Sequence, residues 1–134
     1  MWTYDVVSGG KLDIDEAAAV YRASTLAQRR PVHDRPRFTE MIRQANLIVT
    51  ARAGDRLIGV ARSMTDWSYT TYLSDLCVDV EFQRRGIGRE LIRRTQDAAP
   101  LAKIVLLSAP DATEYYPHIG FTRHHSAWVL PASS

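Results

Sequence analysis

Residues 78–89 read Val78-Asp79-Val80-Glu81-Phe82-Gln83-Arg84-Arg85-Gly86-Ile87-Gly88-Arg89. The order of these residues is typical of a strand that ends in a turn and leads into a helix. A helix N-terminus leaves several backbone N–H groups unpaired and carries about half a unit of positive charge. Gly86 and Gly88 lack side chains that would keep an anion away from those N–H groups, and arginines beside them add positive charge. The stretch therefore predicts a binding site for a pyrophosphate or a similar dianion.

Two familiar phosphate-binding motifs do not fit this spacing. A Walker loop needs Lys followed by Ser or Thr after its last glycine, whereas Gly88 is followed by Arg89-Glu90. A Rossmann fingerprint needs a third glycine, and Leu91 stands at that position. The remaining alternative is a glycine-containing turn that only begins a surface helix.

The periodicity of the rest of the chain predicts alternating strands and helices. No linker, repeat or shift of composition divides the sequence, so we expect one α/β domain over residues 1–134. The predicted strands cover residues 2–7, 47–51, 57–61, 72–80, 103–108 and 121–130, and the predicted helices cover 13–29, 37–45, 87–99 and, as a short helix or turn, 111–118.

Charge and cysteine content narrow the classes of function. The 134 residues include 17 basic and 15 acidic ones, and only Lys11 and Lys103 of the basic residues are lysines. Five arginines crowd into residues 84–94, which favours one small anionic ligand over a nucleic acid, because a long polyanion needs a broad basic face. The one cysteine, Cys77, excludes an internal disulfide and a cysteine-based metal cluster, and we expect no metal site.

No segment of the sequence resembles a targeting signal or a membrane span. Residues 1–5 lack a basic and apolar leader pattern, and the longest apolar runs have four or five residues. We therefore expect a cytoplasmic protein without a membrane partner.

A second motif lies nearer the C-terminus, Tyr115-Tyr116-Pro117-His118-Ile119-Gly120-Phe121. Together with the glycine turn, its order and spacing make residues 72–121 resemble the GNAT superfamily of acetyl-CoA-dependent N-acetyltransferases. The resemblance implies an α/β fold with a mixed, mostly antiparallel central sheet of six to seven strands. It also implies helices on both faces of the sheet and a splayed cofactor cleft between two parallel strands.

The same resemblance implies acetyl-CoA as the cofactor and assigns residues to it. The backbone of three strand residues would contact the pantetheine arm, and Ser108 stands close to where the family commonly has an asparagine. The assigned residues are Leu76, Cys77 and Val78 for the arm, and Arg84, Arg85, Gly86, Ile87, Gly88 and Arg89 for the pyrophosphate.

Acyl transfer to an amine needs a neutral amine and a proton for the leaving thiolate. Tyr116 matches the family's tyrosine that hydrogen-bonds the sulfur, and the resemblance implies that it is the general acid. Asp75 is our first choice of general base, on one strand face with Cys77; Cys77 itself is interpreted as a small buried residue and not as a nucleophile. The alternatives for the base are Asp79, His33, Asp34, Glu40 and His118.

The acceptor is less closely specified by the sequence. We expect a primary amine of a small molecule, with a protein amine as the second choice. Three neighbouring aromatic residues, Trp67, Tyr69 and Tyr72, either stack on the amine or pack at the edge of the sheet. A non-catalytic acyl-CoA-binding sensor or interaction module is the alternative function, and a homodimer is a possible assembly.

Overall fold

A computed structural model describes residues 1–133, with Asp111 described by its backbone alone; Ser134, the last residue of the predicted domain, lies outside the described residues. The described residues form five strands and four α-helices. In chain order they are β1 (Trp2–Val7), α1 (Ile14–Ala23), α2 (Arg35–Gln44), β2 (Leu47–Ala53), β3 (Arg56–Thr65), β4 (Thr70–Val78), α3 (Ile87–Ala98), β5 (Lys103–Val105) and α4 (Tyr115–His118).

The five strands form one mixed sheet in the order β1-β2-β3-β4-β5. β1 to β4 pair antiparallel with their neighbours, while β5 runs parallel to β4. The predicted mixed, mostly antiparallel sheet is confirmed. The predicted number of six to seven strands is wrong, because the described residues contain five.

The missing strand is the one predicted over residues 121–130. Phe121 packs edge-on against Tyr116, but from Thr122 to Ser133 every residue is exposed and no strand is assigned. Trp128 and Leu130 are apolar residues that predicted a buried strand, yet they are 91% and 94% exposed. Strand propensity leads to a strand only where a partner strand supplies hydrogen bonds, and the described residues offer residues 121–130 no such partner.

Helices cover both faces of the sheet. Asp13 and Asp34 accept backbone hydrogen bonds at the N-termini of α1 and α2, as N-cap residues do. These two helices bury one core with Ile48, Val60 and Cys77 of the sheet. The helix α3 buries a second core on the opposite face, with Val49, Ile58 and Leu73 among its sheet residues.

A β-bulge at Ser74 coincides with the separation of β4 from β5. Along β4 the register with β3 skips Ser74, since Arg62 pairs with Asp75 and Ser63 pairs with Leu73. The parallel pairing of β4 with β5 ends at Tyr72, two residues earlier, although β4 continues to Val78. Bulges bend a strand and increase its twist, so the bulge explains why the two strands diverge here.

None of the helices that the structure describes is long and apolar enough to cross a membrane.

Candidate active site

The glycine turn forms the N-terminus of α3. Gly86 is the N-cap residue with φ of 80°, a left-handed conformation that costs a residue with a β-carbon about 1–2 kcal/mol. No side chain caps the helix, and across residues 1–133 no protein acceptor is bonded to the N–H groups of residues 86–89. Four converging N–H donors at a helix N-terminus, with the helix dipole behind them, suit a phosphate group.

The arginines near the turn divide into paired and unpaired groups. Arg93 and Arg94 form ion pairs with Glu90, and Arg93 also pairs with Asp97. Arg85 lies over the rings of Trp2 and Phe82, with its guanidinium carbon 5.9 and 5.6 Å from their centroids. The exposed side chains of Arg84 and Arg89 form no ion pair within the described chain, so they are the most available to an anion.

Gly88 lies against the aromatic motif. A β-carbon built on Gly88 would stand 3.2 Å from the hydroxyl oxygen of Tyr115 and 3.9 Å from a methyl group of Val78. The two sequence motifs therefore meet at the first turn of α3.

Beyond Tyr72 the edge of β4 that pairs with β5 has no partner strand among the described residues. The side chains of Leu76 and Val78 are half-buried against the α3 core. The carbonyl oxygen of Val78 accepts a hydrogen bond from Nε2 of Gln83 at 2.9 Å. An open strand edge binds an extended amide chain as an added strand would.

Cys77 is buried in the opposite core. Burial raises the pKa of its thiol to about 12, so the sulfur is protonated at neutral pH. A protonated, buried thiol is a poor nucleophile, in agreement with the interpretation of Cys77 as a small core residue.

A cavity of about 100 Å³ opens where β4 and β5 separate. Its walls come from β4, from the segment after β5, from the 3-10 helix Leu26–Arg29 and from α4. Tyr116 of α4 lines this cavity and packs edge-on against Phe121, at 5.4 Å between the ring centroids. Burial, with a smaller effect of Tyr115, raises the pKa of Tyr116, which keeps its hydroxyl protonated as a proton donor must be.

Asp75 is the centre of a buried network that sequence reasoning missed. Its carboxylate accepts hydrogen bonds from Tyr21 Oη at 2.6 Å and from the Nε atoms of Arg30 and Arg62, each at 2.5 Å. Burial alone raises the pKa of the Asp75 carboxyl, but the charge of Arg62 and the bonds from Arg62 and Tyr21 outweigh it, so the pKa is lowered.

Arg30 and Arg62 also donate hydrogen bonds to the bulge residue Ser74. Arg30 Nη2 donates to the carbonyl oxygen of Ser74 at 2.8 Å, and Arg62 Nη2 donates to the Ser74 hydroxyl at 3.0 Å. Arg62 lies in the apolar run Val60-Ala61-Arg62-Ser63 and Asp75 in the run Leu73-Ser74-Asp75-Leu76. Opposite charges at facing positions of two buried strands were the signal that could have identified the pair.

The alternative base candidates lie apart from the cavity. Asp79 is buried, forms an ion pair with Arg56 and accepts from the backbone N–H of Glu81. Asp34 caps α2, Glu40 accepts from Gln44, and the side chains of His33 and His118 are exposed. None of these residues lines the cavity beside Tyr116 among the described residues.

Two further predictions concern Ser108 and the aromatic group. Ser108 is half-buried between Leu107 and Ala109, which line the cavity. Tyr69 lies against Lys103 at the paired end of β4 and β5, with the Lys103 Nζ atom 4.2 Å from the ring centroid. All three aromatic residues are exposed, Trp67 to 46%, Tyr69 to 67% and Tyr72 to 36% of their surface, so stacking on an amine and packing at the sheet edge both stay predictions.

Comparison with known proteins identifies relatives by sequence. The model of the family described as "Acetyltransferase (GNAT) domain" matches residues 17–129. A protein named histone acetyltransferase from Glycine max is 33% identical over 69 residues, which are 49% of this chain and 30% of that protein. The chain thus matches under a third of the length of that curated relative.

Solved structures share the fold. The GNAT-family acetyltransferase SP0256 from Streptococcus pneumoniae superposes with a TM-score of 0.76 at 18% identity, over 98% of this chain and 100% of that one. An aminoglycoside N-acetyltransferase solved in complex with CoA superposes with a TM-score of 0.72 at 13% identity, over 100% of this chain and 96% of that one.

Proposed function

Since this chain belongs to the GNAT family of acetyltransferases, and is thereby an acyltransferase, we propose that it transfers an acetyl group from acetyl-CoA to the primary amine of a small molecule. The observation that carries the proposal is the position of the cavity. It opens at the separation of β4 and β5 and has Tyr116 in its wall.

The chain fits acetyl-CoA at three places. The free N–H groups of residues 86–89 would hold the pyrophosphate, with Arg84, Arg85 and Ile87 in the same turn. The open edge of β4 at Leu76, Cys77 and Val78 would bind the pantetheine amides, and Ser108 lies across the divergence from it. When bound, acetyl-CoA supplies the acyl group as an activated thioester.

Tyr116 is proposed as the general acid. Tyr116 lines the cavity and its pKa is raised by burial, so its Oη atom would donate a proton to the departing thiolate and be reprotonated from solvent afterwards. The neutral acceptor amine attacks the thioester carbonyl carbon directly; the C–N bond forms, the C–S bond breaks, and the nitrogen releases its extra proton to solvent. No covalent enzyme intermediate is proposed, because the thiol of Cys77 is buried and protonated.

We assign Asp75 a positioning role in place of that of a general base. A base must be free to accept a proton, and both oxygens of Asp75 accept hydrogen bonds from arginine or tyrosine donors. Its lowered pKa also makes it a weaker base than an ordinary aspartate. We propose that Asp75 fixes Arg30 and Arg62 on the bulge and so maintains the separation of β4 from β5.

A protein amine is the second candidate acceptor, in view of the relative named histone acetyltransferase. The modest volume of the cavity, about 100 Å³, supports a small molecule as the first candidate. We propose that residues 1–134 form one N-acyltransferase domain and that the protein acts in the cytoplasm.

The test is a thiol-release assay with acetyl-CoA against a panel of small primary amines and a lysine-containing peptide. We expect release with at least one small amine and confirmation of its N-acetyl product by mass spectrometry. Release with the peptide alone would assign the activity to protein amines. Binding of acetyl-CoA without release from any acceptor would favour the non-catalytic module.

A further inference from the structure

Two consecutive arginines form one wall of the cavity beside Tyr116. Arg29 ends the 3-10 helix Leu26–Arg29, Arg30 follows it, and both line the cavity. Tyr116 lines the same cavity from α4, so the arginines face the space in which we propose the transfer to occur.

Arg30 is held rigidly and keeps donors available. Its Nε donates to Asp75 Oδ1 at 2.5 Å, Nη2 donates to the Ser74 carbonyl and Nη1 donates to the Arg29 carbonyl, each at 2.8 Å. A guanidinium has five N–H donors, so two remain, one on each terminal nitrogen. The side chain is 24% exposed, and a ligand in the cavity can reach it.

Arg29 is the more accessible partner. Its side chain is exposed and donates no hydrogen bond within the part of the chain that the structure describes, while its carbonyl accepts from Arg30. A free guanidinium next to a fixed one can close on a planar anion between them.

The charge balance of the described side chains around Arg30 is positive. Among them, Asp75 is the one carboxylate bonded to Arg30, and it is shared with Arg62. Two guanidinium groups on one carboxylate, with Arg29 beside them, leave excess positive charge at the wall. Apolar residues such as Leu73 and Leu106 line the rest of the cavity and lower the local dielectric constant, which strengthens attraction for an anion.

We propose that the acceptor carries a carboxylate close to its amine, as an amino acid does, and that Arg29 and Arg30 bind this carboxylate. The inference rests on the proposed acetyl transfer and specifies its substrate class. The planar fork of a guanidinium matches a carboxylate in a bidentate arrangement. The same positive charge lowers the pKa of a nearby ammonium and so raises the fraction of neutral, nucleophilic amine without a dedicated base.

The test compares amines that differ only in the carboxylate. Glycine is paired with methylamine and phenylalanine with 2-phenylethylamine, and thiol release from acetyl-CoA gives kcat/KM for each. We expect the amino acid to exceed its partner at least tenfold in one pair or both. In Arg29→Glu this preference is lost, whereas in Arg37→Glu, a charge reversal on the exposed face of α2, it is retained.

Binding provides a readout that does not depend on turnover. N-acetylglycine and N-methylacetamide, the products of the first pair, are titrated calorimetrically into the protein with saturating CoA. We expect the carboxylate product to bind at least tenfold more tightly in wild type and equally weakly in Arg29→Glu.

Equal use of both members of each pair, equal binding of both products, or a preference that survives Arg29→Glu would overturn the inference. Thiol release with amines that lack a carboxylate would at the same time uphold the proposed acetyl transfer. Absence of acetyl-CoA binding, measured separately by thermal shift, would instead remove the proposed function.

Discussion

The hydroxyl of Tyr115 approaches to 3.2 Å the point at which a β-carbon on Gly88 would stand. Gly88 belongs to the first turn of α3 and Tyr115 to α4, so this contact joins the phosphate-binding turn to the segment that carries Tyr116. A β-carbon at position 88 requires the Tyr115 hydroxyl to move by a few tenths of an ångström, and a larger side chain also occupies the space in front of the helix N-terminus.

We expect Gly88→Val to weaken CoA binding at least tenfold, about 1.4 kcal/mol, with the fold retained. The matched control is Gly10→Val, because a β-carbon on Gly10 meets no atom within 4 Å. Calorimetric titration with CoA measures both variants. Wild-type affinity in folded Gly88→Val would mean that the turn has only a structural role.

A double-mutant cycle isolates the steric part of this effect. Gly88→Ala is expected to cost less affinity in the Tyr115→Phe background than alone, since the hydroxyl that the methyl group meets is then absent. Additive losses would show that Tyr115 does not transmit the effect.

Gly86 is sensitive to substitution because of its backbone conformation and not because of a close contact. A β-carbon on Gly86 meets no atom within 4 Å, but the residue has φ of 80°. Asparagine adopts this conformation more readily than a β-branched residue, so Gly86→Asn should retain most CoA affinity and Gly86→Val should lose at least tenfold. Equal losses in the two variants would show that bulk, and not conformation, is limiting.

Tyr116→Phe should lower turnover between about ten- and a thousandfold with little change in the KM for acetyl-CoA, because it removes a positioned acid and keeps the ring packed. Tyr115→Phe is the control and should leave turnover nearly unchanged. Steady-state kinetics with the amine of the panel that releases thiol fastest measures turnover and KM for both variants. A large loss in Tyr115→Phe alone would place the acid one residue earlier.

Asp75→Asn should destabilise the protein by about 3–5 kcal/mol, because it leaves the guanidinium groups of Arg30 and Arg62 without a buried counter-charge. Asp97→Asn, which breaks an exposed ion pair with Arg93, is the control and should cost less than about 1 kcal/mol. Urea unfolding measures both. Unchanged stability with lost turnover would restore Asp75 as the general base.

The contribution of Asp75 should also depend on pH. Its pKa is lowered in the folded protein, so the stabilisation is complete above the ordinary value of 3.8 and is lost as the pH falls through the folded-state pKa. The free energies of unfolding of wild type and Asp75→Asn should therefore converge below pH 3.8. A constant difference down to pH 2 would contradict the ionised network.

Acetyl-CoA should raise the melting temperature, since a ligand at 100 times its Kd stabilises the native state by about 2.7 kcal/mol. AMP should do much less, because it lacks both the pyrophosphate and the pantetheine arm. A thermal-shift titration measures the effect, and no shift at millimolar acetyl-CoA would contradict the proposed cofactor.

Local signals were sufficient for most of the fold. The helices predicted from residues 13, 37 and 87 begin at Ile14, Arg35 and Ile87, where N-cap residues and the glycine turn act on adjacent backbone, although α1 ends at Ala23 and not at the predicted residue 29. The strand predicted over residues 121–130 depends on a partner elsewhere in the chain. The sequence of that segment carries no information on whether a neighbouring edge is available.

The candidate site likewise combines local contacts, which the sequence predicts, with long-range contacts, which it does not. The contacts of Gly86 are local, whereas Arg30 reaches Asp75 across 45 residues and Arg62 reaches it across 13. The sequence around an aspartate in an apolar strand looks the same whether the carboxylate is a general base or is held in buried ion pairs. Only the register of β3 and β4 distinguishes these roles.

The bulge at Ser74 also determines on which face of the sheet each following side chain of β4 lies. Before it, Leu73 packs on the α3 face; after it, Leu76 packs on that face and Cys77 on the other. If β4 had the same length but paired regularly through Ser74, Asp75 and Cys77 would turn toward α3 and Leu76 away from it. Loss of Ser74 would instead leave both cores unchanged, because the pairing with β3 already skips this residue. What would be lost is the bend at which β4 leaves β5, so the extra residue serves the cleft and not the cores.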